Sequence, residues 1–204
     1  HLPGGDAVTG PDLALDSYKF PDNKYKLHAC CHGLHPMIEA LQACEAAAGV
    51  PLDDIKSFSL STNPRWLAVC DIKRPRTGLE VKFSYNWLAG MTLRGDNTGD
   101  DRLFTDTIAG EAELGRFAER ISVTGDDQLT DLQARGEISL TDGRAIPVWF
   151  DLADPFAPAV LAEKLQRKSS TIIGEAGAAI WDLHPRLGQL GARDIASAML
   201  AASA

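Results

Sequence analysis

The feature that most constrains the fold is Thr141-Asp-Gly-Arg144, set between two apolar β-prone runs, Ala134 to Leu140 and Ile146 to Phe150. Asp-Gly supplies the positive φ that a tight hairpin turn demands, so the two runs are expected as antiparallel neighbours. A hairpin alone is at best marginal in water, and its apolar face must be covered by other elements. The rest of the chain offers them. From Pro36 to Ala48, Met37, Ile38, Leu41, Cys44 and Ala48 fall on one helical stripe, with Pro36 suited to the first turn. Thr77-Gly-Leu-Glu80 reads as a capping box that opens a helix running to about Leu93, where Arg94-Gly-Asp-Asn-Thr-Gly99 stops it.

A short helix is expected over Glu111 to Ala118, leading into a β-prone Arg120-Ile-Ser-Val123. Strands are expected over Asp54 to Ser61, where Phe58 and Leu60 alternate well but Ile55 does not, and over the apolar Trp66 to Cys70. Ala159 to Lys168, Gly174 to Leu183 and Ala192 to Ala202 are helical in pattern. Helices and short strands thus interleave without βαβ regularity. The expected fold is α+β: a small antiparallel sheet with a hairpin, packed against several helices. Trp87, Leu88 and Met91 share a helical stripe and read as core, as do Trp149 and Phe150 in the hairpin, while Asp126-Asp127 reads as a turn.

At 204 residues the chain can bury a sizeable core without metal or disulfide staples. Residues 1–16, rich in Gly, Pro and Asp, read as a linker or added segment, and residues 17–204 as one domain. Because the sequence starts at His1 rather than Met, a cut inside a longer polypeptide is expected. No apolar stretch is long enough to cross a bilayer, and the four cysteines, with Cys30 and Cys31 adjacent, form no disulfide framework. A reducing cytoplasm is the expected compartment. The net charge of −8 repels nucleic acid and anionic lipid, so neither is an expected partner.

Within that acidic chain, two stretches run the other way. Lys24 to Ile38 carries +2 with no acid, and Lys73 to Lys82 carries +3, leaving −13 on the remainder. Each leads into an expected helix amino terminus, where unpaired amides and the macrodipole already favour an anion. Cations placed there oppose the dipole unless an anion binds, so the pair suits a ligand with more than one carboxylate. Solvated patches and internal ion pairs would explain the same charges. Lys26 to His35 also packs Lys26, His28, Cys30, Cys31, His32 and His35 into ten residues. Proton-transfer sites are built from such groups, since histidine titrates near neutrality and a lysine among cations is displaced toward that range. A zinc site using His28, Cys31 and His35, with Cys44 as a fourth ligand, is the competing reading, although the spacing matches no known finger.

Lys26-Leu-His-Ala-Cys-Cys-His-Gly-Leu-His-Pro-Met-Ile-Glu-Ala40 and Arg74-Pro-Arg-Thr-Gly-Leu-Glu-Val-Lys-Phe-Ser84 together resemble the paired motifs in the carboxy-terminal domain of the MmgE/PrpD family. That family includes 2-methylcitrate dehydratase, cis-aconitate decarboxylase and iminodisuccinate epimerase. The resemblance implies a lid domain, with the family's large helical amino-terminal domain outside this sequence and supplying the other wall of the cleft. It further implies a small polycarboxylate substrate, no metal or organic cofactor, and a homodimer in the whole enzyme. By the same resemblance Lys26 and His35 fall on catalytic positions of the first motif; proton-transfer chemistry adds His28 as a third catalytic candidate, and Arg76, Lys82, Ser84, Cys31 and His32 are expected substrate contacts. The decarboxylase branch has a tyrosine just before its second motif, where this sequence has Asp71 to Lys73. Dehydration of the 2-methylcitrate type is therefore expected first, epimerisation next, and a non-catalytic or zinc-binding module is the alternative of another class.

Overall fold

A computed structural model describes residues 24–201, so the expected linker and the start of the domain at residue 17 lie outside the described residues. The α+β class is as expected. The hairpin forms where Asp-Gly places it, with β3 (Gln133–Leu140) antiparallel to β4 (Ala145–Asp151) and Gly143 at φ 91°. β1 (Ile55–Thr62) pairs antiparallel with β3, and β2 (Ile121–Gly125) pairs parallel with β1, giving the order β2-β1-β3-β4. The sheet is therefore mixed rather than purely antiparallel. A register shift between Ile55 and Ser57 inserts one residue into β1, which returns Ile55 to the buried face shared by Phe58 and Leu60 and accounts for the broken alternation.

On β4 the period of two sends Ile146 and Val148 inward and leaves Trp149 50% exposed, so Trp149 is not core and Phe150 is only partly buried. Pro147 sits opposite Glu137 on this edge strand, where its missing N–H is tolerated. The apolar run from Trp66 to Cys70 is a second correction. It forms a helix, α2 (Pro64–Cys70), because Asn63 accepts a hydrogen bond from the Arg65 amide and Pro64 fixes the first helical turn.

The main core lies between α1 (His35–Ala43), packed on β3 and β4, and α4 (Tyr85–Arg94), with Met37, Ile38, Phe58, Leu88, Met91 and Ile138 fully buried. Half of the capping box at Thr77 forms as expected, its hydroxyl accepting from the Glu80 amide at 3.2 Å, whereas the Glu80 carboxylate reaches one residue further back and accepts from the Arg76 amide at 2.5 Å instead of the cap amide. The helix it opens, α3 (Gly78–Val81), stops early, because Ser84 caps a new helix, α4, by accepting from the Trp87 amide. α4 ends at Gly95, φ 88°. α5 (Asp106–Ala109) packs on α3, and α6 (Ala112–Ala118) on α4.

Gly78 is fixed by space: a Cβ there would stand 1.9 Å from the Phe104 carbonyl oxygen. Gly78→Ala should cost about 1–3 kcal/mol in a denaturant titration. Gly188→Ala, with open space around it, serves as the near-neutral control.

Three helices close the described chain: α7 (Pro158–Ile173), α8 (Glu175–Trp181) and α9 (Ala192–Ala201). α7 buries no residue fully and is tied to the body through polar contacts, among them Asn97 to the Thr171 hydroxyl at 3.0 Å and Arg102 to the Thr171 carbonyl at 3.1 Å. No helix among the described residues is long and apolar enough to cross a membrane.

Candidate functional site

The first basic motif is a loop pinned from three sides. The Ala29 amide donates to the Thr98 carbonyl at 2.8 Å, the Cys31 amide to the Lys82 carbonyl at 3.0 Å, and the Tyr85 hydroxyl to the Gly33 carbonyl at 2.9 Å. Tyr85 is fully buried and also shares a hydrogen bond with Thr62 of β1, so loop, sheet and α4 are locked together. The loop ends in a short turn, His32–Leu34, that feeds directly into α1.

This path brings the three histidines into one row. The His28 and His35 rings meet edge to face at 4.9 Å, and the His32 and His35 rings lie 4.7 Å apart. At one end of the row His28 contacts Glu39, a carboxylate of α1 that is only 2% exposed. Glu39 Oε1 is 3.1 Å from His28 Nε2, and Oε2 accepts from Lys164 of α7 at 2.8 Å. Burial opposes charge on Glu39, but the hydrogen bonds from His28 and Lys164 outweigh it and hold the carboxyl below its usual range. An ionised carboxylate only accepts, so His28 Nε2 carries the proton, and Nδ1 accepts from the Thr98 hydroxyl at 2.7 Å. Burial keeps His28 neutral. Both of its nitrogens are committed within the protein.

His35 is different. It is 1% exposed, its Nε2 has no hydrogen-bond partner, and burial, reinforced by His28, His32, Lys168 and Lys26, pushes its pKa down to about 2. His32, half-buried beside Lys26, is also shifted down. For a histidine whose pKa falls on folding, the unfolded chain binds the extra proton. The stability these rings contribute is complete above the unfolded value near 6.5 and is lost as pH falls below it, toward about 2 for His35. An acid titration of the thermal midpoint should start to decline near pH 6.5, ahead of the carboxylate range. His35→Phe, which keeps a ring and removes the titration, should flatten that first decline; an unchanged profile would contradict the burial of a neutral His35.

Lys26 extends its side chain to the surface at the mouth of the loop, and its backbone carbonyl accepts a hydrogen bond from Lys168 of α7. Lys82 is joined to the loop through its own carbonyl, with its ammonium over the Phe104 ring at 5.1 Å. Among the described residues, Lys26, Lys82 and Lys168 have no carboxylate partner. Most arginines in this acidic chain do, Arg76 among them, whose exposed guanidinium pairs with Glu80. No contact joins Arg76 to the histidine row.

Ser84 is fully buried, its oxygen engaged in capping α4. The expected anion position at the start of α3 is filled from within, since the Gly78 amide donates to the Asp106 carboxylate at 2.9 Å. Cys31 lines the loop half-buried, and the Cys30 thiol is pushed up to about 12 by burial, which makes it an inert packing group.

The zinc reading finds no geometry. No group of three or more His, Cys, Asp or Glu side chains is placed to share an ion among the described residues, and His28, its first ligand, has both nitrogens engaged. Sequence reasoning missed Glu39, Thr98, Lys164 and Lys168. Only Glu39 carried a signal, as an acid inside the apolar stretch Met37 to Leu41, four residues beyond His35 and therefore on the same helical face.

Comparison with protein families matches residues 28–183 to the MmgE/PrpD C-terminal domain. A search of curated proteins finds no match to the chain. With the match spanning the three histidines, the second basic motif, the sheet and α7, the chain belongs to the MmgE/PrpD family, through that family's C-terminal domain.

Proposed function

We propose that this domain forms one wall of the active site of a cofactor-independent lyase or isomerase acting on a small di- or tricarboxylate, with dehydration of the 2-methylcitrate type as the leading reaction. The observation that carries the reading is the placement of Lys26 and Lys168, neither with a carboxylate partner, beside a row of neutral histidines, with Lys82 joined to the same loop, in a chain of net charge −8. Dehydration and epimerisation next to a carboxyl group both build negative charge on the adjacent carbon. Cations must hold the carboxylate, and an acid or base must reach that carbon.

Lys26, exposed at the loop mouth, is the group free to do either. His35 offers a buried, unpartnered nitrogen that stays neutral across the working range and so can take part in a hydrogen bond or a proton relay. His28 orients the row, because its nitrogens are committed to Glu39 and Thr98. The opposite wall comes from the helical amino-terminal domain that the family resemblance implies, and turnover needs both.

The test is calorimetric titration of the chain with tricarballylate, a tricarboxylate that cannot be dehydrated, against butyrate. Tricarballylate should bind and butyrate should not. Failure of the tricarboxylate to bind, or equal binding of both acids, would sink this reading.

A further inference from the structure

We infer that Lys168, on α7, is the residue that sets how many carboxylates the site accepts, by contacting a second carboxylate of a substrate whose first is held near Lys26. The inference rests on the polycarboxylate reading above and adds to it a residue from an element that neither basic motif contains.

α7 presents two lysines one turn apart, Lys164 and Lys168, toward the first motif. Their surroundings differ. Lys164 is neutralised by the buried Glu39 carboxylate at 2.8 Å, with its ammonium also 5.4 Å from the Phe156 ring. That contact fixes the height of α7 against α1. Lys168, one turn further on, is carried over the backbone of Lys26 and donates to its carbonyl. An ammonium has three donors, and this bond uses one. No carboxylate among the described residues takes the others.

The crevice beneath, about 60 Å³ and lined by His28, Glu39, Thr98, Lys164 and Lys168, has too little room for a polycarboxylate, so Lys168 acts at its rim, facing outward with Lys26. Two lysines held close repel each other, and burial together with Lys26 displaces Lys168 toward its neutral form against a weaker opposing pull from Asp101. A ligand with two or more carboxylates relieves that repulsion; one carboxylate relieves less of it. The placement of Lys168 depends on the Lys164 to Glu39 anchor, so selectivity is set on α7 and transmitted through α1.

The experiment is calorimetric titration of the full chain and its variants, at pH 7 and low salt, with tricarballylate, glutarate and butyrate. Lys168→Gln keeps a donor for the Lys26 carbonyl and removes the charge, Lys168→Arg keeps the charge, and Arg144→Met, an exposed arginine of the hairpin turn paired with Asp142, is the control. Lys168→Gln should weaken tricarballylate about tenfold and glutarate by less, Lys168→Arg should retain most of the wild-type affinity, and Arg144→Met should match wild type. Equal weakening of every ligand by Lys168→Gln would assign Lys168 to structure alone and overturn the inference, as would unchanged binding. If the wild-type chain binds no polycarboxylate, the functional reading itself fails, an outcome separable from either of those.

Discussion

Glu39→Ala should destabilise the domain by about 2–4 kcal/mol in urea or thermal unfolding. The His28 Nε2–H, buried with its ring, would lose its acceptor, and an unsatisfied buried donor costs about 1–3 kcal/mol. Removing the buried stem adds about 0.8 kcal/mol for each methylene lost, before any cavity effect. Lys164 adds little to this, because its side chain is 28% exposed and can turn to water.

Glu39→Gln separates the two partners. The amide oxygen can still accept from His28, but the amide nitrogen must then face the Lys164 ammonium, donor against donor. Combining it with Lys164→Met should recover part of the loss, and that coupling is what a double-mutant cycle measures. In Glu39→Ala, which leaves no acceptor, nothing fixes the proton on His28 Nε2, so the ring should begin to exchange tautomers, visible in its nitrogen chemical shifts. A change in stability below about 0.5 kcal/mol for Glu39→Ala would place Glu39 among ordinary surface acids, contrary to its burial.

The parts of the fold that could be read in the sequence are those fixed by contacts within a few residues. Asp142-Gly143 dictates its hairpin because the turn itself requires positive φ, and Thr77 dictates a helix start because its cap partner is three residues away. Trp66 to Cys70 misleads because an apolar run of five shows no period, and the decisive residues, Asn63 and Pro64, sit just before it. Trp149 misleads through its size, although alternation with Ile146 and Val148 on β4 already assigned it to the outer face. The break between α3 and α4 comes from Ser84, whose capping role is invisible until the backbone turns there.

What lay beyond reading is long in range. The parallel pairing of β1 with β2 joins segments some sixty residues apart, and no local pattern marks it. The site divides the same way. The histidine row lies within one loop and could be found from spacing, whereas Lys164 meets Glu39 across 125 residues and Lys168 meets Lys26 across 142. In sequence those two lysines look like the solvated face of any amphipathic helix. Only the docking of α7 makes them part of the site.

In the two-domain enzyme proposed above, Lys26→Met should lower kcat about 10²-fold or more while leaving the fold intact. The expectation of an intact fold has a structural basis. The Lys26 side chain is exposed, and the bond from Lys168 goes to its backbone carbonyl, which the substitution does not touch. Stability should therefore change by no more than about 0.5 kcal/mol, and α7 should stay docked. A loss of rate then reports chemistry. Lys26→Arg divides that chemistry in two, because a guanidinium keeps the positive charge but does not release a proton near neutral pH. If the Arg variant retains the wild-type rate, Lys26 holds a carboxylate as charge develops beside it. If Arg is as slow as Met, Lys26 moves the proton. The two roles also differ in KM: losing an anchor raises it, whereas losing only proton transfer lowers kcat and leaves KM near its starting value. Near-normal kcat and KM in the Met variant would remove Lys26 from the reaction and leave His35, with its unpartnered nitrogen, as the group in the first motif still to be tested.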